Sequence, residues 1–260
     1  MSSEYTEARK ELFTTLRKDF ESTMIDELLP GILHNFANPL NGIMGRTQLL
    51  ERKVRQRFDM SSPEGGSKAA DPEQEYKIVH DVELVIQETD RFFNLFSDVA
   101  GKISRLGDET IKRISLSQLL ESEMSFLNFY LDFKHQVKKN LMLDRDIPSV
   151  KGIQADYSIA FAALIRHSMN KMKDSVVKEL TIATYYDAPN ACVRIDDTGS
   201  HVFDDDERVL LSMLQGSEVP ACPVESAGFF RALSLLKYYG AEFQIYDNGE
   251  VHSLVLMIPV

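Results

Sequence analysis

Between Leu29 and Val54 the residues Leu29, Leu33, Phe36, Leu40, Ile43, Thr47, Leu50 and Val54 fall at spacings that alternate four and three. That alternation is a heptad seam and predicts one long helix. A second run, Val79, Val82, Ile86, Thr89, Phe93, Phe96, Ala100 and Ile103, repeats it. Two helices with an apolar stripe each bury both economically when the hairpin pairs with another, which predicts a helical hairpin that dimerises into a four-helix bundle. Asp59 to Pro72 is rich in turn formers and reads as the hairpin's loop. Ahead of it, Phe13, Leu16, Phe20 and Met24 at helical spacing predict a helix from Tyr5 to Leu29 that packs on the bundle, with Pro30-Gly31 as a kink or break.

From about Lys112 the pattern changes to mixed strand and helix signals. Ile114 to Leu116 reads as a short strand, Ser117 as the cap of a helix from Gln118 to Asp132, and Gln136 to Leu143 as a strand. Tyr157 to Lys173 is an amphipathic helix. Leu180 to Tyr185 and Ala191 to Ile195 read as paired strands around the turn Asp187 to Asn190. Ala227 to Tyr239 reads as a helix ended by Gly240, and Glu242 to Tyr246 with Ser253 to Ile258 as a final hairpin. The chain is therefore expected to be α+β in three parts: an N-terminal helix (1–29), the helical hairpin (30–108) and an α/β sandwich (109–260).

His34 follows the seam residue Leu33 and lies one turn before Asn38, so the two are expected to share a face directed to solvent. A solvated imidazole is nucleophilic through one ring nitrogen near neutral pH. Pro39 removes a backbone N–H in mid-helix and should bend the helix beside the histidine.

The run His34-Asn35-Phe36-Ala37-Asn38-Pro39-Leu40 resembles the phospho-acceptor box of bacterial two-component histidine kinases, and the order of elements from about residue 25 to 260 is similar to that family. The resemblance implies a dimerisation and phospho-acceptor hairpin followed by an ATPase domain of the Bergerat or GHKL type. Departures from the family's pattern fall in the nucleotide boxes. His167 stands where a magnesium-binding Asn belongs, and imidazole is a poor magnesium ligand. Asp197 and Gly199 keep half of the adenine box, with His201 at its second glycine; Gly228 alone survives in the glycine-rich turn, followed by Phe229 and Phe230. The lid segment opens with Asp204-Asp205-Asp206-Glu207, which would repel a triphosphate. Asn35 replaces the acidic residue that serves active kinases as a general base.

The resemblance with these departures is most like kinase-derived histidine phosphotransferases. It implies that His34 exchanges a phosphoryl group with receiver-domain aspartates, with Asn35, Asn38 and Arg46 meeting the receiver and Asn38 beside the acceptor. His167, Asp197, Gly199 and Gly228 would form a vestigial nucleotide site. Magnesium would come from the receiver, with no resident metal or tightly bound cofactor. Two alternatives remain open: a divergent kinase that binds ATP-Mg, and a non-catalytic dimeric scaffold for receivers or kinases. Receiver dephosphorylation assisted by Asn38 is a further activity that the resemblance allows.

Composition narrows the setting. A chain of 260 residues that is 43% hydrophobic supports two modest domains, and a net charge of -11 argues against a nucleic-acid surface. Cys192 and Cys222 make neither a disulfide framework nor a metal cluster, which points to a reducing cytoplasm. No apolar run approaches the roughly 20 residues of a membrane helix, and the start lacks a signal-peptide core. A soluble cytoplasmic homodimer is expected. Fewer than 35 residues precede His34, so its input would come from another protein such as an upstream hybrid kinase, unless the chain is part of a longer one.

Overall fold

The computed structural model describes residues 3–57, 72–199, 208–209, 211–212, 214 and 227–260. The expected hairpin loop before Pro72, together with Ser200, His201, Asp204 to Glu207 and Cys222, lies outside them. The elements are α1 (Ser3–Thr23), a π-helical turn (Met24–Leu28), α2 (Leu29–Arg57), α3 (Pro72–Leu106), β1 (Ile111–Ile114), α4 (Leu116–Leu127), α5 (Leu131–Gln136), β2 (Lys138–Leu143), β3 (Val150–Ile153), α6 (Gln154–Lys171), β4 (Glu179–Asp187), β5 (Asn190–Asp197), α7 (Ala227–Lys237), β6 (Glu242–Asp247) and β7 (His252–Pro259). They form two compact units, residues 29–100 and residues 1–28 with 101–260.

The first unit is the helical hairpin. Phe36 and Phe92 meet edge to face with ring centroids 5.3 Å apart, and Lys53 pairs with Asp81. A Cβ at Gly42 would lie 3.3 Å from Glu88 Cγ, so the two helices approach closely there. The buried and half-buried positions include Asn35, Phe36, Pro39, Gly42, Ile43, Arg46, Leu50 and Lys53 on α2 and Asp81, Val85, Glu88, Phe92, Leu95 and Val99 on α3. Most of the heptad rows read from the sequence sit one residue away, about 100° round each helix. Leu33 is 60% exposed, Phe93 65% and Phe96 52%. The α3 seam is therefore an outward stripe, while on α2 Leu29, Leu33, Leu40 and Val54 face out and Phe36, Ile43 and Leu50 stay half-buried, with Phe36 on Phe92.

The second unit carries a five-stranded sheet of order β2-β4-β5-β7-β6, in which β2 and β4 run parallel and the other pairs are antiparallel; β1 and β3 form a separate antiparallel pair. Alternation along the strands puts Ile182, Ile195 and Leu254 in one buried cross-strand row and Thr184, Val193, Leu256 and Phe243 in the next. α6 packs on α4 and α7. The tight turns fall where glycine supplies a positive φ: Gly240 (+76°) after α7 and Gly249 (+83°) in the last hairpin.

Several local expectations are corrected. Ser115, not Ser117, caps α4 by accepting from Gln118 N, while Ser117 is buried and bonds Asp144 O and Thr184 Oγ1. The helix expected to reach Asp132 stops at Leu127, and β1 begins earlier than expected, at Ile111. β3 was not expected at all. The N-terminal helix packs within the second unit: α1 lies on α6 and α7, with Phe13 and Leu16 buried. The helix does not break at Pro30-Gly31, where a kink or break was expected. The backbone passes from α1 to α2 through the π-helical turn just ahead of Pro30, the kind of widened turn that accommodates a missing N–H.

The last turns of α3 are bound into the second unit by a buried ionic cluster. Lys102 Nζ donates to Glu123 Oε2 (2.5 Å) and Ser158 Oγ (2.9 Å), and Ser158 Oγ donates to Glu123 Oε1 (2.6 Å). Lys102 and Glu123 are fully buried, and the ammonium lies 4.9 Å from the centroid of the Phe20 ring.

Candidate functional site

In the hairpin unit the site is the exposed face of α2 around His34. His34, Ala37, Asn38 and Asn41 are all exposed, and the i, i+4 spacing sets Asn38 one turn beyond the histidine on the same face. α2 runs through Pro39 without interruption. The imidazole has a free approach from solvent, and the Asn38 amide, with both a donor and an acceptor, lies beside that approach.

Asn35 does not share this face, contrary to its expected role as a receiver contact. It is only 4% exposed, and its Nδ2 donates to Gly31 O at 2.8 Å. The reason is the position of the interhelical row, which takes in Asn35 rather than Leu33. Arg46 belongs to the same inward row and is half-buried.

In the second unit α6, α7, α1 and the π turn line a groove of about 720 Å³. His167 and Gly228 both line it; Asp197 and Gly199 are not among its described lining. The ring of His167 stacks on Phe229, with centroids 4.4 Å apart and planes inclined by 30°. Phe229 also meets Phe230 edge to face at 5.3 Å. Gly199 instead packs on the last turn of α6, where a Cβ would come within 2.7 Å of the Lys171 backbone, and its N–H donates to Asp197 Oδ1 at 2.9 Å.

This set does not fit a magnesium nucleotide. The position of the metal-binding Asn holds an imidazole that is packed against a phenyl ring. The Asp197 carboxylate is buried and accepts from its own turn. The groove lining balances Asp19 of α1 and Asp26 and Glu27 of the π turn against Arg166, Lys171 and Arg231. Two of these acids are paired: Asp19 Oδ2 lies 3.2 Å from Arg231 Nη1 and Glu27 Oε1 lies 2.6 Å from Arg166 Nη2. Sequence reasoning missed these four residues because the partners stand 212 and 139 positions apart and carry no local pattern.

Among the described residues no group of three or more His, Cys, Asp or Glu side chains could hold a metal ion. No described helix is long and apolar enough to cross a membrane.

No protein-family model and no curated protein matches the chain. Solved structures do. The neighbours include bacterial histidine kinases. The Acinetobacter baumannii histidine kinase AdeS is 14% identical, with 82% of this chain and 94% of that one covered and a TM-score of 0.46. A bacterial phosphotransferase is 12% identical over 88% of this chain and 93% of that one, with a TM-score of 0.41. A histidine kinase from Burkholderia phymatum STM815 is 12% identical over 88% and 97%, also at 0.41. Histidine kinases are also what the acceptor box and the order of elements resemble. At these identities the likeness carries no residue role across.

Proposed function

We propose that this protein works in two-component signalling as a histidine phosphotransferase, with His34 exchanging a phosphoryl group with receiver-domain aspartates. The observation that carries this reading is the contrast between its two sites. His34 stands exposed with Asn38 one turn on, while the groove that would feed it from ATP holds His167 stacked on Phe229.

The chemistry asks little of this chain. A neutral imidazole nitrogen of His34 attacks the phosphorus of a receiver's aspartyl phosphate; an N–P bond forms, the acyl P–O bond breaks, and the aspartate leaves as carboxylate. The imidazolium that results loses its ring proton to solvent at the exposed face. The acyl phosphate is already activated, so the missing acid at position 35 costs nothing, and magnesium belongs to the receiver. Asn38 is positioned to hydrogen-bond a transferring phosphoryl oxygen. In this reading the exposed stripes of α2 and α3 join two copies.

The test is a transfer assay. Receiver domains phosphorylated with acetyl phosphate are mixed with the protein, and label is followed to His34 with His34→Ala as control. Transfer that His34→Ala abolishes supports the reading. Phosphorylation of His34 from ATP-Mg alone would favour a divergent kinase using Asp197, Gly199 and Gly228, and no label on His34 from either donor would favour a scaffold.

A further inference from the structure

The geometry points to an anion site in the second unit: the cavity between the last turns of α3, β1 and the start of α4 binds a phosphate group, carried by a small metabolite or free. The inference goes beyond the relay reading and does not depend on it.

The cavity measures about 520 Å³, and Arg105, Lys112 and Arg113 line it with no carboxylate among its described lining. Their charges are only partly met nearby. Arg105 and Lys102 share one carboxylate, Glu123, which already accepts from Lys102 and Ser158. Arg105 Nε stands 3.5 Å from Glu123 Oε1, and its Nε and Nη2 find no hydrogen-bond partner among the described residues. Lys112 pairs with Asp108, while Arg113 Nη1 donates to a carbonyl oxygen, Ser149 O at 3.0 Å, which cancels no charge. Of these six side chains four are cations and two are carboxylates, an excess of two positive charges in a chain whose net charge is -11.

A phosphate monoester carries close to two negative charges at neutral pH and balances that excess, whereas a single carboxylate balances half of it. A guanidinium presents paired N–H donors that match phosphate oxygens. The rest of the lining supplies neutral donors. Ser115 Oγ accepts from Gln118 N at 3.4 Å, so its own O–H can donate, and Gln118 and Gln154 add side-chain amides. A bare phosphate leaves much of the volume unfilled, so there is room for a hydroxyl-bearing remainder beside these polar groups.

Calorimetric titration of the full chain in phosphate-free buffer, with ribose 5-phosphate, inorganic phosphate and ribose as probes, tests the site. Ribose 5-phosphate is expected to bind with a Kd of about 1 mM or below, to weaken about tenfold in Arg113→Gln, and to be unaffected by Arg231→Gln in the groove between α6 and α7. Lys112→Gln, at a second exposed position, serves in the same way if Arg113→Gln does not fold. An ester that binds more tightly than inorganic phosphate assigns the site to a phosphorylated metabolite, and equal affinities assign it to the free ion; both support the phosphate site. No heat from either phosphate at about 10 mM, ribose binding as well as its phosphate, or an affinity that neither Arg113→Gln nor Lys112→Gln alters overturns it. Neither a receiver nor His34 enters this readout, so its failure leaves the relay reading standing.

Discussion

The imidazole of His167 and the phenyl ring of Phe229 form one packed unit, with centroids 4.4 Å apart. In the sequence they are two separate departures from a nucleotide site, one on α6 and one at the start of α7. In the fold each explains the other, because the ring on α7 takes the space beside the imidazole.

Phe229 is 5% exposed, and truncating a buried phenyl ring removes both transfer free energy and packing. Phe229→Ala is therefore expected to lower stability by about 3 kcal/mol in urea unfolding. A change below about 1 kcal/mol would contradict a packing role for the ring pair.

How legible this was depended on which physical signal each element carries. The outward stripes of the hairpin were plain because Leu33, Leu40, Phe93 and Phe96 are apolar at heptad spacing. The inward side of α2 was legible only in part: Phe36, Ile43 and Leu50 were in the heptad pattern, but Asn35, Pro39, Gly42, Arg46 and Lys53 carry no apolar signal. That is why Asn35 was placed on the wrong face. Phe13 and Leu16 indicated that α1 buries a stripe, but nothing local says against what, and its seat on α6 and α7 needed the fold. β3, four residues long and running directly into α6, offered too little alternation to find.

Asn35→Asp tests the correction directly. Restoring the family's acidic residue would place a carboxylate where Nδ2 now donates to Gly31 O, replacing a hydrogen bond with repulsion between two acceptors in a buried position. Thermal or urea unfolding should show a loss of about 1–3 kcal/mol. A variant as stable as the parent would contradict the burial of this side chain.

The outward stripe should hold two copies together. Phe93→Asp puts a charge at a position that is 65% exposed in one chain and covered in a bundle, so sedimentation should show a dimer for the parent and a monomer for the variant. Equal masses for the two would contradict a dimer built on this stripe.

Lys102 and Glu123 are a fully buried pair, and losing one member leaves an uncompensated charge. Lys102→Met is expected to cost about 3–5 kcal/mol, while Lys102→Met with Glu123→Leu recovers part of that loss. Unfolding of these two and of Glu123→Leu alone checks it; additive losses would contradict a coupled pair.

Asp108 supplies a pH dependence. Lys112 first, then Thr110 through its hydroxyl and backbone N–H, hydrogen-bond this carboxylate and hold it down to about 2, from an ordinary 3.8. A depressed acid adds stability that is present above its unfolded value and is lost as pH falls through the folded value, here between about 3.8 and 2. An NMR titration should find Asp108 still ionised at pH 3, and Asp108→Asn should flatten this part of the acid limb. A midpoint near 3.8 would contradict the turn's grip on the carboxylate.

Phosphoryl transfer to His34 from two donors, compared side by side, is the most direct measurement. Wild-type protein and His34→Ala are each incubated with acetyl-phosphate-charged receiver domains and, separately, with labelled ATP and magnesium. The account predicts label on His34 from a receiver, none in His34→Ala, and none from ATP. Label from ATP alone, or label that persists in His34→Ala, would contradict it.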